Sequence, residues 1–390
     1  MPSILIVLPH LERGDFDERR QERIHREHYV VRRTRALGWP CTICGLTYHS
    51  TVHTLGDEVG SLRFPVTNPS SVSRFDYLSR DLLAYIETHK PDLIIFKGMG
   101  YRLARWLALN SRHRFRIAFI AAGGTTDPLS AVADFILAET PVQISEKFSE
   151  HASKGRALVL PKLSFALETP TAIQKDFDII NVGIFNENKC QARLLPLAHR
   201  YRLVLVGDGA LWPAVRKAAV PYGDAVSLPG NVPRAEVMSY IARSRLMVHA
   251  ARYEGVARVV MEAFSCGVPV VASRRAMPGA FQNGVQGLLV EPDQLLEAAH
   301  ELLANPSRLE AMSRAAQEFA AAQCNEDAVF APILQMYGTV FASEPLFRGS
   351  ISQVVEIRLR AAQMTAERWV KARAHDVGLR RDILRSGRRA

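Results

Sequence analysis

Short β-rich runs alternate with helical patterns along most of the 390-residue chain, and the alternation breaks off once and begins again. Apolar runs such as Ile4–Leu8 suit strands buried on both faces, and parallel strands require crossover helices between them. The first half predicts strands at Ile4–Leu8, Thr42–Leu46, Arg63–Val66, Leu93–Lys97, Arg116–Ala121 and Phe135–Ala138, with helices such as Phe75–Thr88 and Tyr101–Leu109 in the gaps. Around Leu158–Thr171 the last apolar strand gives way to prolines and polar residues. The second half then predicts strands at Ile179–Gly183, Leu203–Val206, Ala225–Leu228, Leu246–His249, Pro269–Ala272 and Leu288–Val290. Its helices are expected at Gln191–His199, Ala210–Ala219, Arg234–Ser244, Val256–Cys266, Leu295–Leu303 and Ser307–Ala322. The expected fold class is α/β, with two Rossmann-like, doubly wound parallel-sheet domains over 1–170 and 171–340 facing a cleft. Residues 341–390 form a basic helical extension, expected to pack back on the first domain or to contact membrane.

One hydrophobic core rarely serves a chain this long, which agrees with two domains. No apolar run reaches the roughly 20 residues of a membrane-spanning helix. Ser3–Pro9 lacks a basic leader and reads as a first strand, so the expected location is the cytoplasm. Five cysteines give no disulfide framework, and Cys41 and Cys44 stand in strand-like sequence without a second ligand pair. Net charge is +10, and ten Lys or Arg against four Asp or Glu between Ile351 and Ala390 supply +6 of it. Arginines also crowd Glu18–Arg35. Such segments attract nucleic acid, anionic lipid or phosphorylated ligands, or simply solvate a helix face. With no nucleic-acid motif or basic–aromatic interleaving, nucleic acid is not an expected partner. The tail, with Val354, Ile357, Trp369, Val370, Val377, Ile383 and Leu384 among its arginines, reads as an amphipathic helix for the inner membrane face.

Leu246–Ser273 predicts a buried strand, a short loop, a helix and a second buried strand. Gly255 is expected to open the helix, leaving the N–H groups of Val256, Ala257 and Arg258 unpaired at the positive end of the helix dipole, which suits a diphosphate. Glu254 precedes those amides and Glu262 follows eight residues later, about 12 Å along a helix. That span fits a sugar at Glu254, phosphates at the amides and a ribose diol at Glu262. The plainer reading is a helix cap at Glu254 and a surface residue at Glu262, but the neighbours Val259, Val260, Met261, Ala263 and Phe264 are apolar.

Tyr253–Ser273 resembles the signature of the retaining GT-B glycosyltransferases of family 4 (glycosyl transferases group 1), and the rest of the second half follows the same family in order. Asn181-Val182-Gly183, Lys189, Leu205-Val206-Gly207-Asp208-Gly209, Leu228-Pro229-Gly230-Asn231-Val232 and Gly284–Val290 carry the match, over roughly 178–322. The resemblance implies a GT-B fold and transfer of a sugar, with retention, from a nucleoside-diphosphate donor (UDP or GDP) to an acceptor hydroxyl in glycan, polysaccharide or glycolipid synthesis. Residue by residue it implies Glu254 on the donor sugar, Glu262 on the ribose, Lys189 on the diphosphate and Gly230–Val232, with Asn231 and Val232, beside the base.

The chain also departs from the pattern. Ile184 stands where members commonly carry a phosphate-binding Arg, so Arg258 or Arg13 is expected to replace that charge. Leu11–Asp15, with Arg13 and Gly14, stands in for the usual Gly-Gly loop after the first strand. Ala121–Asp127 stands in for a His-Gly pair, where Gly123 and Gly124 would let backbone approach the sugar and Asp127 would take a proton from the acceptor or serve as a turn residue before Pro128. Lys97, before Gly98, is expected on the acceptor side or in a strand-to-helix turn. The expected acceptor is a glycan or a lipid-linked or phosphorylated molecule. No Asp-x-Asp element occurs, and a metal is not required, since Lys189 and the amides would stabilise the leaving diphosphate. An epimerase, a phosphorolytic enzyme or a non-catalytic nucleotide binder would use the same architecture.

Overall fold

A computed structural model describes residues 1–11, 26–57, 59–71, 73–122, 125–162 and 174–367. Arg13, Gly14, Gly123, Gly124 and the sequence beyond Glu367 lie outside the described residues. The chain divides into two compact units, one of Met1–Ile120, Thr125–Ile136 and Val340–Ala390, the other of Ala121–Gly124 and Leu137–Thr339.

The first sheet contains β1 (Ile4–Leu8), β2 (Cys41–Thr47), β3 (His53–Thr54), β4 (Leu62–Pro65), β5 (Leu93–Lys97), β6 (Arg116–Ile120), β7 (Phe135–Ala138) and β8 (Ala157–Val159). Its order is β3-β4-β2-β1-β5-β6-β7-β8. β1 runs parallel to β2 and β5, and the two-residue β3 runs antiparallel to β4. The central strands are fully buried, from Ile6 and Ile43 to Ile95, Phe96 and Phe119, which is why they read as continuous apolar runs. The predicted helix Phe75–Thr88 is split: Tyr77 is extended, and Ser79 caps a new helix, Arg80–His89, by accepting from the Leu82 amide at 3.2 Å. Cys41 and Cys44 are buried in β2, and burial pushes both thiols up to about 12, so they stay protonated.

After Val340 the chain belongs to the first unit, where Arg116 donates to the carbonyls of Val340 (2.9 Å) and Ser343 (2.8 Å). Residues 351–367 are helical. Ile357, expected to face lipid, is instead 1% exposed, while Ile351, Val355 and Leu359 are 84%, 48% and 61% exposed. Helical periodicity explains the difference, since positions four apart share a face and Ile357 lies off that stripe. The described arginines of the Glu18–Arg35 crowd are engaged within the protein: Arg26 pairs with Glu27, Arg33 donates to the Tyr29 hydroxyl and Arg35 to the Cys41 carbonyl.

The second sheet contains β9 (Phe177–Val182), β10 (Leu203–Val206), β11 (Val226–Gly230), β12 (Ser244–His249), β13 (Val270–Ser273) and β14 (Gly287–Val290), in the order β11-β10-β9-β12-β13-β14 and all parallel. Period-two alternation sends Ile180, Val204, Met247 and Val270 into one core with the helices Arg234–Ala242, Arg258–Ser265 and Pro306–Gln323. Ile179, Leu203, Leu246 and Val271 enter the other core, with Trp212–Ala219 and Leu295–Leu303. The second unit is therefore doubly wound. Gln191–His199, expected as a helix, is 3₁₀, with Pro196 inside it.

Candidate donor site

β9, β10 and β12 end in loops at their carboxyl edge, and the sequence of each loop fixes its course. Gly207 follows β10 at φ +131, and a Cβ there would stand 2.0 Å from the Gly183 carbonyl oxygen, so only glycine lets the two loops cross so closely. Asn181, buried at the end of β9, donates to the Val248 carbonyl at 2.7 Å and ties β9 to β12.

After His249, the last residue of β12, the chain runs through Ala250–Ala257 to the helix Arg258–Ser265. The helix opens later than expected. Ala257, the N-cap, is extended (φ −67, ψ 127), so the amides of Val256 and Ala257 belong to the approach and cap, and the Val260 amide is spent on the Ala257 carbonyl at 3.1 Å. Val256 and Ala257 are buried, whereas Arg258 is exposed in the first turn. Gly255 is half-buried in the approach.

Lys189 Nζ contacts Glu254 Oε2 directly. His249 Nε2 stands 3.6 Å from the same carboxylate oxygen, at the edge of hydrogen-bond reach. Burial alone would raise the Glu254 carboxyl, but the His249 ring and the Lys189 ammonium outweigh it and bring it down to about 2. Burial pushes the His249 imidazole down from its ordinary value, keeping it neutral at neutral pH. Glu262 is 4% exposed, which removes the surface reading, and it pairs with Arg234 Nη2 at 2.9 Å. Asn231 is exposed after β11, and Val232 packs partly into the core beside Met238.

The loops of Lys189 and Glu254 are joined by Asn188. Its side chain donates to the Tyr253 carbonyl at 2.8 Å and accepts from the Tyr253 amide at 2.9 Å, while its carbonyl accepts from the Arg252 amide at 2.8 Å. Tyr253, Glu254, Gly255 and Val256 line a cavity of about 540 Å³ with Glu139 and Lys162, which pair with each other. All of these residues belong to the second unit.

Asp127 and Lys97 lie in the first unit. Asp127 is a cap: its fully buried carboxylate accepts from the Gly100 amide (2.9 Å), the Leu129 amide (2.9 Å) and Arg105 (2.5 Å). The turn role before Pro128 is thus the one the geometry supports, because a carboxylate so enclosed offers no oxygen to an acceptor hydroxyl. Lys97 pairs with the buried Glu27 at 2.6 Å. Ile184 is half exposed, with an apolar side chain where the phosphate-binding charge was sought. Among the described residues no group of three His, Cys, Asp or Glu is gathered to hold a metal.

Sequence reasoning missed Asn188, His249 and Arg234. His249 ends an apolar strand and reads as core, and Asn188 bonds to main chain, which leaves no mark on the partner's sequence. Arg234 carried one usable signal, since a carboxylate as buried as Glu262 needs a cation.

Residues 178–305 match the family model described as glycosyl transferases group 1. The chain is 25% identical over 180 residues to the GDP-mannose-dependent monoacylated alpha-(1-6)-phosphatidylinositol monomannoside mannosyltransferase of Corynebacterium glutamicum, covering 44% of this chain and 47% of the relative. It is 31% identical over 144 residues to the GDP-mannose-dependent alpha-(1-6)-phosphatidylinositol monomannoside mannosyltransferase of Mycobacterium tuberculosis, covering 34% and 37%. The chain thus spans less than half the length of these curated relatives. Among solved structures, sucrose-phosphate synthase of Thermosynechococcus elongatus superposes with a TM-score of 0.65 at 18% identity, covering 88% of this chain and all of that one. HepE of Anabaena in complex with UDP superposes with a TM-score of 0.61 at 14% identity over 86% of this chain. The fold is that of the GT-B glycosyltransferases, and the group 1 match, residues 178–305, takes in the second sheet, with Lys189 and Glu254 in the loops after β9 and β12 and Glu262 within the helix Arg258–Ser265.

Proposed function

We propose that this chain is a retaining glycosyltransferase of family 4 that moves a sugar from a UDP- or GDP-linked donor to an acceptor hydroxyl. The observation that carries the reading is the Lys189–Glu254 contact at the carboxyl edge of a doubly wound sheet, beside the start of the helix Arg258–Ser265. Lys189 is the cation for the diphosphate, Glu254 the acceptor of sugar hydroxyl hydrogen bonds, and Glu262 the acceptor from the ribose. As the glycosidic bond breaks, negative charge grows on the leaving diphosphate, where Lys189 and the first-turn amides stabilise it. Arg258, exposed at that turn, supplies the charge that Ile184 lacks, in preference to Arg13. No metal is needed in this scheme.

The acceptor proposed is a glycan or a lipid-linked or phosphorylated molecule. A lipid-linked acceptor is favoured by the two mannosyltransferase relatives, whose names specify phosphatidylinositol mannosides, and by the exposed stripe Ile351, Val355 and Leu359. No described helix is long and apolar enough to cross a membrane, so the proposed attachment is peripheral, with the enzyme on the cytoplasmic face. A panel of UDP and GDP sugars scored by thermal shift, followed by product analysis with and without acceptor, tests the reading. Stabilisation by one donor and an α-linked product from an α-linked donor are expected; an inverted product removes retention, and sugar release as a phosphate ester or epimer removes transfer.

A further inference from the structure

We propose that Asn188 is a positioning residue whose carboxamide locks the loop bearing Lys189 to the loop bearing Glu254, so that both charges meet the donor at one fixed separation. The inference rests on the donor reading and names a residue that reading does not use. Three hydrogen bonds of 2.8, 2.9 and 2.8 Å cross between Asn188 and the main chain of Arg252 and Tyr253, which are about 65 positions away. Asn186 holds the near side rigid, its Oδ1 accepting from the amides of Asn188 (3.1 Å) and Lys189 (3.0 Å). On the far side, Tyr253 is 78% exposed and Arg252 is exposed, so their side chains give this stretch little anchorage in the core. The Glu254 amide adds one bond, to the Ala276 carbonyl at 3.1 Å. What fixes the Arg252–Tyr253 stretch against the Lys189 loop is therefore Asn188, through two hydrogen bonds of its carboxamide and one of its main-chain carbonyl.

The chemistry asks for asparagine in particular. Pairing both the N–H and the C=O of one residue takes a side chain with a donor and an acceptor at peptide spacing, which alanine, serine and aspartate lack. Glutamine has the groups but carries them one methylene farther out. With the clamp intact, a ligand entering the site exchanges the Lys189–Glu254 contact for its own groups without having to order either loop, and that preorganisation is where affinity is gained.

The test is calorimetric titration of the full chain and of Asn188→Ala with UDP, UMP, GDP and GMP, with ligand-free melting as a control for folding. Lys189 is the diphosphate group and Glu262 the ribose group, so the two ligand classes report on different ends of the site. The expected result is about a tenfold loss of affinity for the diphosphate and less than about a twofold loss for the matching monophosphate, the split expected of a displaced charged group. Equal losses for both ligands, or no loss for either, overturn the positioning role, since damage of a merely structural kind does not discriminate between them. If Asn188→Ala melts before the titration temperature, Asn188→Gln is used and must show the same split. A wild-type chain that binds none of the four nucleotides sinks the donor reading and this inference with it, whereas wild-type binding without the split sinks this inference alone.

Discussion

Glu254 is held ionised by its two neighbours, and the sign of the resulting pH dependence follows from the direction of its shift. Its folded value, about 2, lies below the ordinary 4.5, so the carboxylate's contribution to stability is fully present above the ordinary value and is lost as pH falls toward 2. Glu254→Gln has no such contribution. The gap in melting temperature between wild type and this variant should therefore shrink as pH is lowered from about 6 to about 3; a constant gap would show that Lys189 and His249 do not hold the charge. Lys189→Ala removes the cation proposed for the leaving diphosphate, and kcat/KM is expected to fall roughly 100-fold, the loss typical of one electrostatic stabiliser. Steady-state kinetics on the donor selected by the panel measures it. Arg234→Ala leaves the buried Glu262 carboxylate short of a partner. Because the Arg234 side chain is 43% exposed, water replaces part of that contact, and a fall in nucleoside affinity is expected with a small change in melting temperature.

At the scale of elements, the crossing of the loops after β9 and β10 is the least forgiving place in the donor half. Gly207→Ala would drive a Cβ to 2.0 Å from a carbonyl oxygen in a backbone conformation that L residues avoid, and a loss of at least about 2 kcal/mol is expected on chemical denaturation. Gly223 has open space around it but stands at φ +51 and ψ −133, which L residues rarely adopt, so Gly223→Ala should cost about 1–3 kcal/mol from backbone strain alone. Strands and helices of this half were legible because apolar periodicity is a local property of sequence. β10, with its four apolar residues Leu203–Val206, has the predicted bounds. The start of the helix Arg258–Ser265 was not legible to the residue. Gly255 reads as an opening, yet Val256 and Ala257 are buried in the core that also holds Met261, Ala257 is extended, and the helix begins at Arg258. The sequence leaves Asp127 open between taking a proton and serving as a turn residue, because the partners that enclose its carboxylate, Gly100 and Arg105, come from the loop after β5 and from the helix Arg102–Asn110. Pairings across elements are set by topology, which a residue pattern does not encode.

On the scale of the whole chain, the group 1 match covers residues 178–305, while the fold likeness extends over 86–88% of the chain in the two structures compared. Residues 178–305 thus match the family model in sequence, while the likeness in fold extends well beyond them. The proposed peripheral attachment belongs to this scale as well. The stripe Ile351, Val355 and Leu359 ends shortly before residues 368–390, where eight Lys or Arg stand against two Asp. Replacing all three with serine should lower partition of the full chain into phosphatidylglycerol vesicles at least about tenfold, since burial of apolar side chains and attraction to anionic lipid act together, and neutral vesicles should bind the wild-type chain less than anionic ones do. Unchanged partition would remove the stripe as the contact, and a change in mass by light scattering would assign it to self-association. Lys189 and Glu254, finally, are partners of each other when no donor is bound. On the donor reading, a spent diphosphate has lost the sugar that occupied Glu254, so the carboxylate is free to reclaim its lysine. The ion pair then competes with the leaving product for the same ammonium, which favours turnover over inhibition by the molecule just made.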